Sequence, residues 1–161
     1  MRRLVIARFA GAALLVPMAW LWAGWQQWRS GRRGRRLSEH EVRLARRVGV
    51  ARAHAVRVRV LPRMPVPWIA LWEALLEPRR CPWHGVRAIT LGHALLCIGG
   101  EPDVRLLAHE LRHVQQREQA GSLWRFLWRY LMQVARHGYH DAPYEADARA
   151  AAGYSEVAGG P

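Results

Sequence analysis

The stretch LLAHELRHVQQ, residues 106–116, sets two histidines four apart with a glutamate directly after the first. Its neighbours are apolar, and an ionisable group in packed surroundings costs free energy unless it has a partner. Side chains at i and i+4 lie on one helix face. His109 and His113 can therefore aim both imidazoles at one point, as two ligands of a tetrahedral Zn²⁺ do. Glu110 is rotated by about 100° from His109 and borders the same site. There it can accept a proton from an activated water instead of ligating. A solvated His-Glu-His edge would carry the same letters, but Leu106, Leu107 and Leu111 set the motif against a core.

A catalytic zinc takes three protein ligands and leaves a fourth position open. Asp103, after Pro102, caps the motif helix. Gly121 and Ser122 end it, and Ser122 opens a second helix, LWRFLWRYLMQVARH, closed by Gly138. Beyond lies GYHDAPYEADARAAAGY, where Asp141 and Pro143 mark a helix start. Glu145 falls in its first turn, and Ala148, Ala151 and Ala152 let that helix pack closely on a neighbour. A glutamate on an alanine-faced helix has little to do in a core unless paired, which favours Glu145 as the third ligand. Asp147, His140 and Asp141 are its rivals, and Asp147 is also placed to steady a ligand imidazole from behind. Tyr139 and Tyr144 flank the site in sequence, and either could donate a hydrogen bond to a developing oxyanion. His93 reads as a strand residue, and His40, His54 and His84 show no ligand spacing.

The N-terminus carries a second signal. Residues 9–25, FAGAALLVPMAWLWAGW, hold no charge and crowd tryptophan at one end. As a helix the run is about 25 Å long, near the lower limit for crossing a bilayer, and the tryptophans resemble an interfacial belt. It is expected to be a single-pass anchor over residues 1–28, followed by an arginine-rich linker over 29–37 and one soluble domain over 38–161. An apolar helix packed on the domain is the competing reading. Arg29, Arg32, Arg33, Arg35 and Arg36 outnumber Arg2, Arg3 and Arg8, which favours a cytoplasmic domain. Ser38 and Glu41 form a capping box and Leu37 with Val42 a hydrophobic staple, for a helix stopping near Gly49. Residues 55–60, AVRVRV, alternate as a half-buried strand. WIALWEALLE, residues 68–77, reads as a short buried helix or membrane-surface segment. Residues 86–100 read as strand turned at Gly92.

Composition decides less. The formal charge of +13 suits phosphate, but the basic residues are all arginine in an alanine- and glycine-rich chain, and nucleic acid is not the favoured partner. Cys81 and Cys97 lie outside any C-x-x-C pattern, which leaves room for one disulfide and excludes a zinc ribbon.

The run AITLGHALLC…LLAHELRHVQQ, residues 88–116, resembles the zincin metallopeptidases. It is most like small gluzincin-like domains with a TxG strand, an LLAHELxHVxQQ helix and a later E-x-x-A helix. The resemblance covers about the C-terminal two-thirds of the chain. It implies an α+β, zincin-like fold: a small mixed sheet with an active-site helix, here preceded by the apolar N-terminal helix. It further implies zinc held by His109, His113 and Glu145, Glu110 as general base, and a cleft strand containing Thr90 and Gly92 that pairs with an extended peptide. One departure stands out. Arg149 lies one turn after Glu145, where a thermolysin-like pattern offers an aspartate, so the pattern does not supply the partners behind the ligands. The function expected is a membrane-anchored zinc metallopeptidase. The alternatives are a non-catalytic zinc-binding module at the membrane and an arginine-rich binder of anionic lipid or nucleic acid.

Overall fold

A computed structural model describes residues 2–63, 65 and 86–157, with side chains from residue 16 to residue 153. The expected segment at 68–77, together with Cys81 and His84, lies outside the described residues. The fold is mixed α+β. In chain order it comprises α1 (Arg2–Arg33), β1 (Arg35–Arg36), α2 (Glu39–Arg47), β2 (Arg57–Leu61), β3 (Ala88–Leu91), β4 (Ala94–Ile98), α3 (Val104–Ala120), α4 (Leu123–His137) and α5 (Pro143–Val157).

The strands form one sheet in the order β1-β2-β4-β3. β2 and β4 run parallel, while β1 and β3 are antiparallel to their neighbours. Strand side chains alternate between faces, and both faces here are covered. Val58, Ala88, Leu95 and Cys97 pack under α2 and α3 with Val42, Leu107, Leu111 and Val114. Leu91 and Leu96 take the other face with Ala23 of α1 and Leu123, Phe126 and Leu127 of α4. Period two thus sends Thr90, between Ile89 and Leu91, to the α3 side. Cys97 is a free thiol in the first of these cores, and burial pushes its pKa up to about 12.

Local chemistry explains the helix ends. Ser38 Oγ accepts from the Glu41 amide while Glu41 Oε2 accepts from the Ser38 amide, closing both arms of the capping box. Asp103 accepts from Leu106 N and Ser122 from Arg125 N. β2 begins two residues later than the alternation suggested, because residues 53–55 form a 3₁₀ turn and pairing starts where Arg57 N reaches His93 O at 2.8 Å.

The N-terminal region differs from expectation. α1 runs unbroken through Arg33, and the next two arginines form β1 against β2 in place of a free linker. Arg35 is held there by Glu41 and Glu101, each oxygen pair within 3.1 Å. Among the described residues, no helix is long and apolar enough to cross a membrane. Gln26, Gln27 and the arginines from Arg29 end the apolar run, and Val16, Ala23, Gln26 and Ser30 are buried against protein.

Gly92 and His93 make the two-residue turn of the β3–β4 hairpin, so Gly92 is a turn residue and not part of the cleft strand. Its φ of +70° suits glycine. The Gln27 carboxamide also packs where a Cβ would stand, and its oxygen accepts from His93 N.

Glu118, near the end of α3, fixes that helix to the sheet. Its carboxylate accepts from the amides of Ala51 and Arg52 and sits 2.8 Å from His93 Nε2. Burial opposes its charge, but His93 and the two amides outweigh burial and lower its pKa below the ordinary 4.5. Glu118→Gln is expected to cost about 1–3 kcal/mol of stability in denaturant unfolding near neutral pH. A carboxyl whose folded pKa is depressed contributes in full above its unfolded value and loses that contribution as pH falls through the folded one. The difference between wild type and variant should therefore be complete above pH 4.5 and shrink below it.

Candidate metal centre

Residues from two helices meet beside β3. His109 and His113 lie one turn apart on α3, and Glu145 enters from the first turn of α5. Pro143 at the first helical position costs no hydrogen bond and presets φ, which fixes where α5 begins. Ala148 and Ala152 are buried, as expected of a closely packed face.

The ligand atoms of His109, His113 and Glu145 all lie within 4.8 Å of one another, and no other group of three metal-binding side chains is found among the described residues. The imidazole Nε2 atoms are 3.2 Å apart. His109 Nε2 is 3.4 Å from Glu145 Oε2, and His113 Nε2 is 3.3 Å from Glu145 Oε1. Donors on a tetrahedral ion with arms of 2.0–2.1 Å stand about 3.3 Å apart. The contacts therefore match the edges of such a site.

Two further observations fit a cation. Glu145 is 2 % exposed, and its buried Oε2 has no hydrogen-bond partner. Burial favours the neutral acid, yet the two imidazoles and Tyr130 hold this carboxyl well below the usual carboxylate range. It is a buried anion facing two imidazoles. Burial likewise opposes charge on His113, but Glu145, Glu110 and Gln116 outweigh it and raise its pKa. The surroundings favour positive charge at this point.

The supporting contacts orient the ligands. Gln116 Oε1 lies 2.8 Å from His113 Nδ1. With the carbonyl oxygen accepting, Nδ1 carries the proton and Nε2 is left to ligate. The Gln116 amide donates to Tyr144 O at 3.0 Å and to Asp147 Oδ2 at 2.7 Å. Asp147 is in turn held by Arg112 through two contacts at 2.8 and 2.9 Å. Asp147 thus reaches the ligand only through Gln116. Tyr130 Oη, from α4, donates to Glu145 Oε1 at 2.8 Å, and its ring meets His113 edge-on. Burial, with Glu145 second, raises its pKa well above the ordinary range, which keeps it a neutral donor.

Glu110 is buried without joining the three-residue cluster. Thr90 Oγ1 donates to Glu110 Oε2 at 2.6 Å and lies 3.0 Å from Glu110 O. Thr90 therefore orients the carboxylate from the sheet, a more specific task than lining a cleft. Burial raises the pKa of Tyr139, and the charges of Glu145 and Glu110 add to the shift. Tyr144 packs against the second of the two cores. Its ring stacks on Phe126 at 5.7 Å, and its amide donates to Gln133 Oε1. His140 and Asp141 are exposed outside the cluster. Arg149 donates to His140 O and ties the loop before α5.

Tyr130 and Gln116 are the functional residues that the sequence reading missed. Gln116 carried a signal, since i and i+3 are neighbours on a helix. Tyr130 carried none, because only the packing of α4 on α5 brings it to Glu145. No protein-family model matches the chain, and no match is found among curated proteins or solved structures.

Tyr130→Phe deletes one hydroxyl and keeps the ring. Its affinity for a divalent metal is expected to fall about tenfold in competition with a chromophoric chelator. Wild-type affinity would show that Glu145 needs no donor.

Proposed function

We propose that this chain is a zinc-dependent peptide hydrolase with a zincin-like core. The observation that carries the reading is a second carboxylate, Glu110, which Thr90 holds from β3 and which lies on the same helix as two members of a metal-competent cluster. A site that merely stores or structures metal has no use for a fixed, non-ligating base. Two imidazoles and a glutamate are a set with which catalytic sites hold zinc, and the donor separations suit its tetrahedral geometry. When bound, that ion supplies Lewis acidity and lowers the pKa of water.

The chain's own residues supply the rest. Thr90 holds Glu110 in one orientation, and Glu110 accepts the proton of the attacking water and passes it to the leaving amine. Gln116 and Tyr130 keep His113 and Glu145 aimed. Tyr139, whose hydroxyl is kept protonated by burial and by the charges of Glu145 and Glu110, would donate toward the developing oxyanion. β3 pairs only with β4 among the described residues, at the end of the sheet order. Its outer edge fits an extended peptide joined by main-chain hydrogen bonds, with Ile89 and Leu91 beside Thr90 on the same strand.

Glu110→Gln is expected to retain zinc in metal analysis while cleavage of a quenched-fluorescent peptide library falls at least about a hundredfold. Undiminished turnover in that variant would refute the role of Glu110. The loss of both zinc and turnover would place Glu110 among the ligands.

A further inference from the structure

Seven of the nine large hydrophobic side chains exposed among the described residues lie on α1 and α4. On α1 the buried positions Val16, Ala23 and Ser30 repeat every seven residues. Leu21, Trp25 and Trp28 follow i, i+4, i+7 spacing on the opposite side, with Leu21 65 % and Trp28 56 % exposed. α4 repeats the arrangement. Its Phe126 and Leu127 face the core while Trp124 and Trp128, one turn apart, face outward. Trp20 and Trp124 meet edge-on with ring centroids 6.1 Å apart, which joins the two stripes into one surface. An apolar patch of this kind marks an interaction site.

Its chemistry identifies the partner. The sequences of α1 and α4 contain nine arginines and no aspartate or glutamate. Arg29 and Arg32 lie over the rings of Trp25 and Trp28 at 5.3 and 4.4 Å. Arg125 and Arg129 each follow an exposed tryptophan on α4 and are themselves exposed. Tryptophan favours the boundary between hydrocarbon and headgroup, and arginine beside it favours anionic headgroups. A second copy of this face would set arginine against arginine. Nucleic acid would leave the aliphatic side chains of Met18 and Leu21 without an apolar partner.

We propose that the α1–α4 face docks onto an anionic bilayer, with its tryptophans in the headgroup region and its arginines on lipid phosphates. This differs from a spanning anchor. It engages α4 as well as α1 and requires no helix to cross the membrane. Tyr130 turns inward from the same α4 to reach Glu145, so α4 separates the docking face from the metal-binding cluster. The proposal stands independently of any hydrolytic activity.

The test is co-sedimentation of the full chain with phosphatidylglycerol–phosphatidylcholine vesicles and with pure phosphatidylcholine vesicles. Wild type is expected to partition at least about tenfold better onto the anionic vesicles, with the preference fading as salt rises. Trp124→Ser with Trp128→Ser should lower partitioning about tenfold. Arg125→Glu with Arg129→Glu should reduce the anionic preference, while Val104→Ser, an exposed change elsewhere, should leave it unaltered. Thermal melts check that each variant folds. Unchanged partitioning in folded forms of both double variants overturns the proposal. So does finding that the tryptophan substitutions abolish self-association or oligonucleotide binding and leave vesicle binding intact.

Discussion

A carboxylate buried opposite two imidazoles is the constraint around which this molecule is arranged. Glu145 is almost fully enclosed, remains ionised, and has one oxygen without a hydrogen-bond partner. Such a group is costly in a packed interior unless positive charge lies close by. The chain is strongly basic, yet the nearest groups able to answer Glu145 are the imidazoles of His109 and His113. A divalent ion at their meeting point would satisfy the orphaned oxygen and both ring nitrogens together. Gln116, Asp147 and Arg112 form a connected chain behind His113, and Tyr130 holds Glu145. They tie α3, α4 and α5 together at the place where the cost of burial is greatest.

The sheet contributes orientation. Because β3 and β4 are buried on both faces, the alternation along β3 sends Thr90 to α3, where it meets Glu110. Glu118 fixes the same helix to the β3–β4 turn and to the segment before β2. Two contacts from one helix to one hairpin therefore set the height and rotation of the motif over the edge strand. On the proposed reading, this brings an extended substrate alongside the metal without any contribution from a long loop.

Features set by local interactions were legible in the sequence. The capping box at Ser38, the caps at Asp103 and Ser122, the stops at Gly121 and Gly138, and the His109–His113 pairing all depend on residues within one or two turns. Glu145 was legible for another reason: a carboxylate on an alanine-rich helix needs a partner. Tyr130 was not, because its role arises from α4 packing on α5. The contact of Gln116 with His113 was less legible, because an uncharged amide beside the ionisable residues of the motif gives no sign of its partner. The N-terminal run was legible as a helix, but apolarity does not distinguish lipid from protein as the solvent of its faces. The sequence did not show which face packs on protein: Val16, Ala23 and Ser30, seven residues apart, are buried, and Ala23 packs with the sheet and α4. Asp147 was placed near the right ligand but one contact too close.

Zinc K-edge X-ray absorption on the full chain loaded with one equivalent of zinc is the most direct test of the metal centre. The expected spectrum has a first shell of nitrogen and oxygen at about 2.0–2.1 Å with outer-shell scattering from two imidazoles. A sulfur shell at about 2.3 Å, or the absence of paired imidazole scattering, would contradict it.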